Sequence, residues 1–213
     1  MRKHVFTLLL GAAMVATALE EQPLPADFPA EEIRNYENLH TGFHFAPHTK
    51  ARFTQQRTMP SGKVLQSRGS FEFRRGVGMM WRTESPILTA MVISKSSLVV
   101  YGSRGQELRR TRLDGSPFSR YTTVFLDGAK PDHLKDLTRA FRVTGRETAQ
   151  GLTLGLQALR EEMDLRWLMV EVVGGDVSRV EYCSLRQGHT AIQFTEVQNA
   201  DAVPDKPFYI KER

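Results

Sequence analysis

Few side chains in this sequence are typed and spaced for chemistry. His40, His44 and His48 recur every four residues, a spacing that on one helix would align three imidazoles for a metal. Gly42 and Pro47 interrupt such a helix, so the three read as loop histidines and no metal site is assigned. Asp132, His133 and Asp136 could form a catalytic group, but on a helix the same three make an ordinary solvated face. Cys183 is the single cysteine, so no intramolecular disulfide can form, and within the strand-like Val-Glu-Tyr-Cys-Ser-Leu it reads as a small buried hydrophobe. The chain has no G-x-S-x-G, H-E-x-x-H, P-loop or dinucleotide glycine pattern. No enzymatic activity and no cofactor are expected. What stands out instead is apolar: Phe71, Phe73, Met79, Trp81, Met91, Ile93, Leu98 and Val100 crowd one stretch of strand-like sequence. Methionine in such a set is an adaptable gap-filler, suited to a site that binds and releases a flexible chain.

The frame that carries these residues begins with an export signal. Arg2 and Lys3 form a positive end, Val5 to Val15 is nearly all apolar, and Ala16-Thr17-Ala18 offers a small-x-small cleavage site. The apolar run is too short to span a bilayer, which needs about 20 residues. Residues 1–18 are therefore read as a signal peptide, and a soluble periplasmic protein is expected. Removing Arg2 and Lys3 lowers the formal charge from +5 to +3. The densest basic cluster is Arg109-Arg110-Thr111-Arg112, so no nucleic-acid partner is expected. No cysteine stands at the cleavage site, and the processed chain should diffuse freely as a monomer.

Residues 19–45 read as a proline-bearing leader, Glu20 to Pro29, and a short helix over Glu31 to Leu39. From residue 46 the pattern turns to β. Strands are predicted at about 50–58, 63–75, 77–84, 88–94, 97–102 and 106–112, and again at about 140–146, 152–159, 165–173, 177–185 and 190–197. A last strand is predicted near Phe208-Tyr209-Ile210, and two short helices between residues 114 and 139. Phe71 and Phe73 alternate with Glu72 and Arg74, the period-two signature of a half-buried sheet. Met91-Val92-Ile93 and Leu98-Val99-Val100-Tyr101 are apolar on both faces, so these strands should be covered on one side and meet a second apolar space on the other. The expected fold is mainly β with some α: one strongly curved antiparallel sheet of about eleven strands, an open half-barrel, with short helices over its concave face. The pattern leaves open which apolar residues line a cavity and which are ordinary core.

One ordered set of residues resembles a known family. Phe53-Thr54-Gln55 is followed by Ser67-x-Gly69-x-Phe71, Arg74-Arg75, Trp81, Pro86, Val92-Ile93-Ser94 and Leu98-x-x-Tyr101, with Phe141-Arg142-Val143 and Phe208 later. This resembles the periplasmic outer-membrane lipoprotein carriers, the LolA-like proteins, over about residues 45–213. The glycine-rich Arg74-Arg75-Gly76-Val77-Gly78-Met79-Met80-Trp81 is similar to a divergent branch associated with glycolipid or aryl-polyene biosynthesis. The family's Arg-Pro is Arg75-Gly76 in this chain.

The resemblance implies a half-barrel carrier domain over 46–213, with acyl chains held in an apolar cavity built from the eight residues named above. It implies that Arg75 makes hydrogen bonds that close a helical lid. The implied function is transfer of lipoproteins from the inner to the outer membrane, with an ABC-type release complex as donor and an outer-membrane receptor as acceptor. The alternatives are a carrier for a non-protein lipid, such as a glycolipid or polyene intermediate, and an envelope acyl hydrolase or thioesterase.

Overall fold

Among the described residues, eleven strands pair in a single antiparallel sheet, and each pairs with its sequence neighbour except at one point. The structure, a computed structural model, describes residues 23–33, 46–113, 137–149, 151–160 and 163–208. The strands are β1 (His48–Thr58), β2 (Val64–Arg74), β3 (Gly78–Ser85), β4 (Thr89–Ile93), β5 (Ser97–Tyr101), β6 (Glu107–Arg112), β7 (Phe141–Thr148), β8 (Gly151–Ala158), β9 (Leu165–Val173), β10 (Asp176–Ser184) and β11 (Gly188–Ala200). Their order across the sheet is β6-β5-β4-β3-β2-β1-β11-β10-β9-β8-β7, so β1 and β11 meet in the middle, β6 and β7 form the two margins, and the sheet does not close. The predicted strands over 50–197 match these with ends displaced by at most a few residues. Phe208 lies outside any strand, and residues 209–210 lie outside the described residues, as does the bulk of the predicted helices. Residues 31–33, predicted to open a helix, instead pair with β7 through an isolated bridge between Glu32 and Thr144.

Register fixes which side chains share a face, because opposed residues of antiparallel strands project the same way. Phe53 lies opposite Phe194, Phe71 opposite Trp81, Trp81 opposite Met91, and Met91 opposite Val100. One face, termed here the aromatic face, therefore runs from Val100 through Phe53 and Phe194 to Leu154 and Phe141. The other, the charged face, carries His48, Glu72, Arg74, Arg179 and Glu181. Over β7 to β9 the aromatic face holds a packed core of Leu152, Leu154, Leu156, Val143, Val170 and Val172, covered in part by Leu137 and Ile33.

Gly69 shows how tightly the β1 to β3 region is built. A Cβ there would stand 1.8 Å from the Arg82 carbonyl oxygen and 3.0 Å from the Phe53 ring. The missing side chain lets the buried Phe53 ring lie over β2 and pack on Trp81 at 4.3 Å between centroids. Gly69→Ala should therefore destabilise the fold by about 1–3 kcal/mol, read as a lowered midpoint in thermal or urea unfolding with β-sheet circular dichroism retained at low temperature. An unchanged midpoint would mean that the strand shifts at no cost.

Candidate functional site

The eight residues singled out in the sequence all fall on the aromatic face. Phe73 pairs with Met79, Met79 with Ile93 and Ile93 with Leu98; Phe71, Trp81, Met91 and Val100 form the adjoining row. Phe73 and Ile93 are buried, whereas Phe71, Met79, Trp81, Met91, Leu98 and Val100 remain partly exposed. The β2 to β5 half of the face is thus apolar yet less covered than the β7 to β9 half. Sequence reasoning missed Phe53 and Phe194 as members of the set. Phe194 stands 5.5 Å from Phe71 and 5.8 Å from Trp81, centroid to centroid, in edge-on geometry. Phe71 meets Trp81 edge-on at 5.5 Å. Such pairs add specific attraction beyond the area they bury. Alternation of Ile192 and Phe194 with Gln193 and Thr195 was the signal that could have found this strand face.

Toward the β1–β2 hairpin the same face ends on Arg57 and Thr190, directly opposed across β1 and β11. Arg57 Nε and Thr190 Oγ1 are buried without a hydrogen-bond partner among the described residues. Buried polar atoms are rarely left unpaired, so the far end of this apolar surface holds unused hydrogen-bonding capacity.

Two polar clamps cover part of the charged face. At one, Glu72 Oε1 accepts from Arg74 Nε at 2.9 Å and sits 2.9 Å from His48 Nε2; all three residues are buried. Arg74 also donates to the Lys206 carbonyl oxygen, and its guanidinium lies 4.4 Å over the Phe208 ring. The alternation of Glu72 and Arg74 with phenylalanines suggested a solvated face, but the segment 206–208 covers it. Burial pushes the Glu72 carboxyl up, and the hydrogen bonds from Arg74 and His48 outweigh this, leaving it below the usual carboxylate range. At the second clamp Arg179 binds Glu181, Glu171 Oε1 at 3.2 Å and Asp27 Oδ2 at 3.4 Å. Phe28 then packs edge-on against Trp167 at 6.2 Å and into the space left by Gly155.

The remaining sequence candidates are not gathered into a reactive group. His48 serves the Glu72 clamp; His40, His44, Asp132, His133 and Asp136 lie outside the described residues. No cluster of metal-ligating side chains occurs among the described residues. Cys183 is buried on the charged face, and burial pushes its thiol up, away from the reactive thiolate. Arg75 is exposed in the β2–β3 turn, where its backbone N–H donates to the Pro47 carbonyl oxygen at 2.8 Å. A depression of about 620 Å³ lined by Gln56, Gln66, Arg68 and Arg179 opens on the charged face; its polar lining does not suit an acyl chain.

Among the described residues no helix is long and apolar enough to cross a membrane. The family model described as "Outer membrane lipoprotein carrier protein LolA" matches residues 46–211. No curated protein matches the chain. Similar solved structures include a LolA superfamily protein from Nitrosomonas europaea, with 10% identity, 80% of this chain and 93% of that chain covered, and a TM-score of 0.40. A DUF1329 family protein from Desulfovibrio piger has 9% identity, 80% and 92% coverage and a TM-score of 0.43. A putative outer membrane lipoprotein-sorting protein domain from Vibrio parahaemolyticus has 8% identity, 80% and 93% coverage and a TM-score of 0.40.

The Glu72 clamp yields a test of what covers part of the charged face. Glu72→Ala leaves Arg74 buried without its counter-ion and should cost about 3 kcal/mol of unfolding free energy near neutral pH. Because the folded-state pKa is lowered, the wild-type clamp is fully present above the usual carboxylate value and is lost as pH falls through the lower folded value. Urea unfolding at stepped pH should show that acid dependence in the wild type and a smaller one in the variant.

Proposed function

The chain belongs to the family described as outer membrane lipoprotein carrier protein LolA, and on that premise we propose that it is a periplasmic carrier that holds acyl chains on its aromatic face and ferries lipoproteins from the inner to the outer membrane. The observation that carries this reading is the alignment of Phe71, Trp81, Met91 and Val100 with Phe53 and Phe194 on one incompletely covered face.

The energetics suit a shuttle. Each buried methylene contributes about 0.8 kcal/mol, so roughly a dozen give a gross gain near 10 kcal/mol, enough to keep an acyl chain out of water. Release requires that the empty face also be tolerable, and methionines beside edge-packed rings can repack when cargo leaves. Arg57 and Thr190, with unused polar atoms at one end of the face, suit the ester or amide end of an acyl group. The protein acts by binding rather than by turnover. Its donor is an inner-membrane ABC-type release complex and its acceptor an outer-membrane receptor. Arg75, with five guanidinium donors, holds a lid shut over the face.

Purification from the envelope followed by native mass spectrometry tests the reading. Lipoprotein-derived acyl peptide bound at one equivalent is the expected result; a bound glycolipid or polyene lipid would transfer the reading to a non-protein cargo. Hydrolysis of acyl thioesters by the purified protein would overturn it.

Met91→Glu places a charge in the middle of the row and should reduce binding of a fluorescent fatty acid at least tenfold, with circular dichroism unchanged. Wild-type affinity in that variant would remove Met91 from the site. Arg75→Leu should alter cargo transfer to an acceptor several-fold with little change in melting temperature; unchanged transfer would remove Arg75 from the lid.

A further inference from the structure

Antiparallel order places the β1–β2, β3–β4 and β5–β6 hairpin tips side by side at one end of the sheet. With strands about 4.8 Å apart, neighbouring tips lie roughly 10 Å apart and the three span about 20 Å. Four of the eight exposed large apolar side chains among the described residues stand at or beside these tips: Val64 and Leu65 at 49% and 40%, Ile87 at 64% and Leu108 at 58%. Leu108 is the extra residue of a bulge, since Val100 pairs with Arg109 and Tyr101 with Glu107. Lys63, Arg104 and Arg109 are exposed beside them, with no acidic partner among the described residues. The acids nearby are already occupied: Glu84 by Arg52 at 2.7 Å and Glu107 by Arg110 at 2.6 Å. The opposite end also exposes two large apolar side chains, Val77 and Val173 at 48% and 50%, but differs in charge. Its turns and flanking strand ends mix Arg75 and Lys95 with Glu147, Asp176 and Asp201.

We propose that these three tips form a docking rim for the surface of a bilayer containing anionic phospholipid. The aliphatic side chains enter the headgroup boundary while Lys63, Arg104 and Arg109 meet lipid phosphates, the arrangement that interfacial proteins use. The charge argument favours lipid over a protein partner. Protein interfaces concentrate aromatic residues at a continuous buried centre and are depleted in lysine, whereas this rim is three separate aliphatic tips flanked by cations. The rim also lies at the end of the aromatic face where Arg57 and Thr190 stand, so docking would bring a membrane to the mouth of the site. The rim itself does not depend on which cargo is carried.

Flotation with vesicles of phosphatidylethanolamine and phosphatidylglycerol, and with phosphatidylcholine alone, tests this. The purified protein should float with the anionic vesicles only, less so as salt rises. Lys63→Glu/Arg104→Glu/Arg109→Glu should weaken binding by at least about a hundredfold, from roughly fivefold for each cation lost, with the reversed charges adding repulsion. Ile87→Asn/Leu108→Asn should weaken it by about tenfold. Lys95→Glu at the opposite end should bind as the wild type does. Equal binding to neutral vesicles, wild-type binding by the charge-reversed variant, or no vesicle binding by the wild type would overturn the rim. Fluorescent fatty acid uptake in detergent-free solution, measured on the same folded variants, reports on the carrier reading separately and should stay at the wild-type level.

Discussion

Side-chain parity, passed from strand to strand through the middle of the sheet, is the constraint on which everything else rests. Each strand pairs with its neighbours antiparallel, so a residue facing one way in β1 dictates which residues face that way across the whole sheet. A one-residue slip would exchange the two faces of a strand. The register does shift at five places, but each shift falls near the end of at least one of the two strands involved. The middle of the sheet keeps its parity, and Phe53, Phe71, Trp81, Met91, Val100 and Phe194 stay together.

The two faces meet water differently. On the charged face, polar groups are withdrawn from solvent and repaid with partners: Glu72 by Arg74 and His48, Glu181 by Arg179 and His189. Short segments from outside the sheet complete these clamps, Lys206 and Phe208 over Arg74, Asp27 over Arg179, and Phe28 over Trp167 and Gly155. Such contacts cover the charged face at both clamps. The aromatic face has its dense core under β7 to β9 and a looser apolar expanse from β1 to β5. Incomplete burial of that expanse suits a protein that binds a flexible apolar chain.

An open sheet must also manage its margins. At β7, residues 31–33 lie against the strand, with Ile33 and Gly145 donating to the Val143 and Glu31 carbonyls, and Gly145 leaves room for the Ile33 side chain. At β6 the strand is short, its side chains are mostly exposed and include three arginines, and a bulge at Leu108 breaks its regularity. Charge and bulging both discourage another strand from adding there. The same residues that protect this margin help compose the docking rim.

Strand number, turn positions and the apolar set were legible in the sequence because alternation and glycine-rich breaks are local signals. Gly62, Gly76, Gly105, Gly174, Gly175 and Gly188 all adopt positive φ at the turns that punctuate the chain. The alternation of Phe71 and Phe73 with Glu72 and Arg74 likewise told that they point apart. It could not tell that Arg74 is buried, because its cover comes from Lys206 and Phe208, more than 130 residues away along the chain. Nor could it join Phe53 and Phe194 to Trp81, since the pairing of β1 with β11 brings the two ends of the domain together. Local periodicity determined the strands and their two-sided character; long-range register decided which side chains share a face, which charges are sealed and where the apolar surface is left open.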